Sequence, residues 1–166
     1  METFARYGYR KTSMEDLARA ARISRPGLYF LFASKEYLFR AAVTRALEAD
    51  LVAAQTVLAA TDRPLPDRLL DAFDRWTGRY LGPMTRDLPS ILDEHAEQLA
   101  ALTVEYPRRF HALVQTALVG VAADRAVTAN DVAQTLISAA VGIKHQVDTR
   151  EDFLARLAVA IDVLIH

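Results

Sequence analysis

Apolar positions recur along most of this chain at the three- and four-residue intervals of an α-helix, and the two-residue alternation of a half-buried strand is nearly absent. A first amphipathic segment carries Phe4 and Tyr7 and stops at Gly8, a residue suited to the left-handed conformation that closes a helix. "TSMEDLARAA" opens with Ser13, whose hydroxyl caps the next helix while Asp16 answers three residues on, as in a capping box. Met14, Leu17, Ala18 and Ala21 follow at helical spacing, the pattern breaks at Arg22-Ile23, and Ser24 starts a third helix. From Ser34 a much longer helix is predicted toward Thr61, with an apolar stripe that includes Phe39, Val43, Leu51, Ala54 and Leu58. "TDRPLPD", Thr61 to Asp67, reads as a linker because its two prolines cannot continue a helix. Further helices are predicted over about 67–80, 89–103, 106–123, 129–146 and 150–165, with breaks at "GPM", "EYP", "RAVT" and "VDT".

The predicted class is therefore all-α. The domain boundary is placed within the long helix near Thr44, separating a small head (1–44) from a helical body (45–166). Charge sharpens this division. Residues 1–45 carry nine Lys and Arg against four acids, a balance of +5, whereas the rest of the chain is net −6. A basic head on an acidic body points to a polyanion met at one end only. With 166 residues and 52% apolar content the chain can bury a core, and with no cysteine it has no disulfide or thiolate metal site. No apolar run approaches the roughly 20 residues of a membrane span and no secretory signal is visible, so the cytoplasm is the expected compartment.

Within the head, two short helices joined by the tight "ARIS" turn fit a helix-turn-helix, whose second helix enters the major groove of DNA. Pro26 sits in the first turn of that helix, where its missing N–H has no intrahelical partner to lose. Gly27 removes a side chain and lets the backbone approach a base edge or a sugar-phosphate. Arg25 supplies a guanidinium able to contact guanine through two parallel hydrogen bonds.

From Phe4 to about Ala42 the residues resemble the TetR family of bacterial transcription regulators, in the run F-x-x-x-G-Y-x-x-T-S-M-x-D-L-A-x-A-A-x-I-S-x-x-x-L-Y-x-x-F-x-S-K-E-x-L. The resemblance implies that 13–22 is the positioning helix and 25–31 the recognition helix. Thr12, Ser13, Tyr29 and Lys35 then fall where phosphates are touched, while Arg25, Pro26 and Gly27 face base edges. Leu17, Ala18, Ile23 and Leu28 are expected to form the small core that holds the two helices at their angle. Leu31 departs from the pattern, since relatives often carry His or Tyr there, and its backbone contact is expected to be lost. The chain also begins in what the family pattern makes the second half of helix 1, so the expectation is a truncated first helix, either because residues precede Met1 in the native protein or because the helix is short.

The last two predicted helices are apolar on more than one side. Leu136, Ala140 and Ile143 on one, with Phe153, Leu157, Ile161 and Leu164 on the other, are expected to form a four-helix contact with a second copy across a two-fold axis. Thr149 and Asp152 form a second capping box ahead of the final helix. The body also holds aromatics with a few polar groups, and Phe73, Trp76, Tyr80, His95, Tyr106, Phe110, His111 and Gln115 are the candidate lining of a pocket for a small hydrophobic effector. No catalytic site, cofactor or metal is expected: "ILDEHAEQL" places Asp93 and Glu97 on one helix face with His95 pointing away, and no phosphate-binding glycine loop or nucleophile elbow occurs. The expected function is a sequence-specific DNA-binding repressor that a small molecule releases from its operator. The alternative is a small-molecule-binding or metal-dependent helical protein that retains the DNA-binding head.

Overall fold

A computed structural model describes residues 2–81, 96–121 and 126–165. Every regular element among them is helical: α1 (Glu2–Tyr7), α2 (Met14–Ala21), α3 (Arg25–Leu31), α4 (Lys35–Leu58), α5 (Leu65–Trp76), a single 3₁₀ turn (Gly78–Tyr80), α6 (Ala96–Ala117), α7 (Ala129–Lys144) and α8 (Arg150–Ile165). The chain is all-α, as its periodicity predicts. None of the described helices is long and apolar enough to cross a membrane. Two compact units emerge. One holds Met1–Glu48 and, of the described residues, 96–103; the other holds Ala49–Gly82 and Val104–His166.

The first unit is built on an aromatic triad. Phe4 of α1, Tyr9 of the following loop and Phe39 of α4 lie with ring centroids 5.1–5.7 Å apart, each at most 7% exposed. Gly8 makes the sharp exit from α1 at φ +76°, a conformation that side-chain-bearing residues adopt at a cost, and its N–H returns to the carbonyl of Phe4. Ser13 and Asp16 close the capping box at the start of α2 through both of its arms. Met14, Leu17 and Ala18 of α2 and Leu28 of α3 are buried, but Ile23, expected in this core, is 38% exposed. The correction follows from the turn. Arg22 takes the left-handed conformation at φ 57°, and Ile23, its N–H bonded to the carbonyl of Ala18, is left at the surface.

In the second unit α7 packs on α8, and α5 packs on α8 in turn. The core comes from Leu69 and Phe73 of α5, Phe110 and Val114 of α6, Leu136 of α7 and Leu157 of α8, each at most 1% exposed. At its edge lies an ion pair in which the Arg150 guanidinium, itself more than half exposed, donates to both oxygens of Asp74, with Nε 2.6 Å from Oδ1. Gly78 lies against that pair: a Cβ added there would stand 2.5 Å from Asp74 Oδ1 and 3.4 Å from the Phe153 ring. A capping box of Thr128 with Asp131 opens α7, and ahead of α8 Thr149, the predicted cap, accepts the Asp152 N–H and donates its hydroxyl to the Asp152 carboxylate.

Two predicted boundaries are corrected. The linker helix starts at Leu65 with Pro66 in its first turn, a position proline tolerates, and ends at Trp76 before the 3₁₀ turn. The "EYP" break does not occur, because α6 continues through Pro107. A proline in mid-helix costs about 3 kcal/mol or more, through its missing N–H and its clash with the preceding turn. Leu99, Leu102, Tyr106, Phe110 and Val114 nevertheless keep an unbroken buried stripe across it. Burial of each such side chain contributes about 1.5–3 kcal/mol, so their sum outweighs the penalty. The part of the 89–103 helix before Ala96, and the 122–123 end of the next, lie outside the described residues.

Candidate nucleic-acid interface

The site begins with the turn between α2 and α3. Leu17 and Ala18 from α2 and Leu28 from α3 are the buried contacts that set the angle between these helices. Ser24 caps α3 and accepts the N–H of Gly27 at 3.1 Å. This cap gives Gly27 a second reason to be glycine, since a Cβ there would stand 3.0 Å from the Ser24 hydroxyl. Leu28 is the one buried residue of α3, and the rest of the helix is open. Arg25 and Pro26 are exposed, and Tyr29 is 44% exposed. The Arg25 guanidinium lies over the Tyr29 ring, 5.8 Å from its centroid, which limits the arginine's freedom before any contact is made. At the start of α2, Ser13 is exposed, donates its hydroxyl to Asp16 at 2.6 Å and holds the Asp16 carboxyl below the usual carboxylate range.

Two of the residues assigned to phosphate contact sit differently. Thr12 is 2% exposed and donates its hydroxyl to the Gly8 carbonyl at 2.7 Å, so it is part of the loop's internal bonding. Lys35, half-buried, donates to the carbonyls of Tyr9 and Thr12 at 3.1 and 3.2 Å, and its ammonium lies 4.2 Å from the Tyr9 ring centroid. It is a clamp between the start of α4 and the loop before α2. Sequence reasoning missed this role because it depends on two carbonyls more than twenty residues away. It also passed over Phe30, which is 90% exposed. The available signal was spacing: two residues from buried Leu28, Phe30 falls on the opposite side of the helix.

The candidate effector residues lie in the second unit, except His95, which is outside the described residues. Phe73 and Phe110 meet edge to face at 5.1 Å, and Trp76 stacks on Phe110 at 4.9 Å. Tyr106 is buried, while Trp76, His111 and Gln115 are half-buried. Tyr80 donates its hydroxyl to Asp50 of α4, a carboxylate 1% exposed that also receives Arg79. Burial raises the pKa of both Asp50 and Tyr80.

The residues expected at a two-fold contact require a correction. Leu136, Ala140, Phe153, Leu157 and Ile161 are at most 2% exposed and Ile143 is 9% exposed within the single chain, with Leu164 half-buried. Leu136, Ala140, Phe153, Leu157 and Ile161 face inward because α8 is covered by both α5 and α7, which takes up its most apolar side, whereas Ile143 and Leu164 stand at the edge of the outer face. The outer face carries Val141, Val159 and Val163, each more than half exposed, and a shallow apolar groove lined by Ile143, Arg156, Val159, Ala160, Val163 and Leu164.

Comparison with known proteins agrees with this geometry. Residues 1–42 match the model of the bacterial regulatory proteins of the tetR family. No curated protein gave a significant match. Among solved structures, the chain is similar to a candidate TetR-family transcriptional regulator from Mesorhizobium loti at TM-score 0.68 and 16% identity, covering 97% of this chain and 88% of that one. It is also similar to the TetR family transcriptional regulator PfmR from Thermus thermophilus, at TM-score 0.59 and 19% identity, covering 99% and 93%. At these identities the likeness speaks for the fold, and the family is carried by the head. The helix-turn-helix head, residues 1–42, thus carries the pattern of the tetR family of bacterial regulatory proteins throughout, and the chain shares the fold of such regulators over nearly its whole length.

Proposed function

We propose that the protein is a repressor that binds operator DNA as a homodimer and leaves it when a small hydrophobic molecule enters the body. The observation that carries the DNA reading is α3, held by one buried residue and offering Arg25, Pro26 and Tyr29 outward from a segment, residues 1–45, of charge +5. Such a helix fits the major groove, and positive charge draws the head to phosphates. One short helix reads few base pairs, so useful specificity requires two heads on a near-palindrome, with half-sites about 34 Å or a multiple apart. The outer face of α7 and α8, with Val159 and Val163 at its centre, is the surface we assign to the second copy.

The effector is placed beside the Trp76–Phe110 stack. Trp76 ends α5, the 3₁₀ turn follows directly, and Tyr80 and Arg79 of that turn hold Asp50 of α4. A molecule that moves Trp76 therefore pulls on α4, whose first turns belong to the head. It need favour the released state by only about 1–3 kcal/mol, and by reciprocity DNA lowers its affinity by the same factor.

The test is a mobility shift on DNA flanking the protein's own gene, repeated against a panel of hydrophobic compounds. Arg25→Ala is expected to weaken specific binding by about 1–3 kcal/mol and relax preference at one position per half-site. Unchanged affinity and preference would remove α3 as the reading helix. For the switch, Tyr80→Phe is expected to keep DNA affinity and blunt release by the active compound. Equal release from that variant would place the relay elsewhere.

A further inference from the structure

The exposed pole of α3 is apolar, although the helix is the one offered to DNA. At about 100° per residue, Pro26 and Phe30 each lie about 160° from buried Leu28, one on either side of the outward pole. Arg25 and Tyr29 fall together on one flank, and Gly27 and Leu31 on the other. Phe30 is 90% exposed, the highest value among the large apolar residues described, and neither it nor Pro26 has a side-chain donor or acceptor. An exposed phenylalanine gains nothing for the folded chain, and its position within residues 1–45, a segment of charge +5, argues for a polyanionic occupant with an apolar spot at the point of closest approach. The major-groove edge of DNA carries one such spot, the C5-methyl group of thymine.

We infer that Phe30, backed by Pro26, reads a thymine methyl at the centre of each half-site, while Arg25 reads a neighbouring base from the flank. This rests on the DNA-binding reading above and adds a residue and a base to it. It also gives a reason for the paired placement of Arg25 and Tyr29: the hydrogen-bonding groups sit together on one side because the pole itself reads by shape and apolar contact.

The experiment uses the full chain. Binding sequences are enriched from a random duplex pool, and each thymine of the enriched half-site is then replaced by deoxyuridine, which removes only the methyl group. The expected result is one thymine per half-site whose methyl is worth about four-fold in affinity, the value of one buried methyl group. The Phe30→Ala protein should bind the thymine and deoxyuridine duplexes equally, and because Phe30 is exposed this variant is expected to fold as the parent does. Loss of no more than experimental error at every thymine, or undiminished discrimination by Phe30→Ala, overturns the inference while leaving DNA binding intact. A chain that enriches no sequence overturns the DNA-binding reading itself, and the inference with it.

Discussion

The Lys35 ammonium donates to the carbonyl oxygen of Tyr9 at 3.1 Å while lying 4.2 Å from the centroid of the same residue's ring. With the further bond to Thr12, this side chain ties the start of α4 to both ends of the loop between α1 and α2. Loss of the clamp strands two carbonyls and a cation–π contact. Lys35→Ala is therefore expected to destabilise the head by about 1–2 kcal/mol, discounted for its partial exposure. Chemical denaturation measures this. If Lys35 instead acted mainly on phosphate, stability would hold and the salt dependence of DNA binding would fall by about one charge.

Tyr9 also gives the head an alkaline limit. Burial first, and then its hydrogen bond to Glu36, push the phenol from 10.0 up to about 12. A group whose pKa is raised on folding stabilises fully below its unfolded value and loses that contribution as pH rises through the folded value. Between pH 10.0 and about 12 the head should lose about 2–3 kcal/mol, at 1.36 kcal/mol per unit. Tyr9→Phe should flatten that limb of the stability curve, as followed by circular dichroism. An equally steep limb in the variant would assign the loss to other groups.

Gly78 is glycine because of Asp74. A methyl group at that position would stand 2.5 Å from the carboxylate oxygen that Arg150 holds in place, so either the ion pair or the 3₁₀ turn must shift. Gly78→Ala should destabilise the body by about 1–3 kcal/mol, the usual cost of overpacking. Pairing it with Arg150→Ala tests the cause: once Asp74 is released, the glycine substitution should cost clearly less. Simple additivity of the two changes would break the link.

The proposed two-fold contact has a direct test. Val159 and Val163 are 64% and 69% exposed, so replacing both by glutamate leaves the single chain's core untouched but puts four carboxylates into a contact between copies. Sedimentation should report a monomer with unchanged helix content, and specific DNA affinity should fall with it. A dimer that survives both substitutions would move the interface to another face.

Helix content, the glycine exit after α1, the capping box at Ser13 and the helix-turn-helix were legible in the sequence because each depends on residues within about four positions of one another. The head was legible for a further reason, since its whole motif lies within 42 consecutive residues. Tertiary structure alone decided the rest. It set the faces of α7 and α8, because an apolar residue such as Leu157 or Val159 carries no mark of which neighbour will cover it. It carried α6 through Pro107, because a buried stripe spread over the helix outweighs a local penalty. And it turned Lys35 inward and left Phe30 in the open, because side chains two and seven residues from Leu28 acquire their roles only when distant backbone, at Tyr9 and Thr12, closes around one of them.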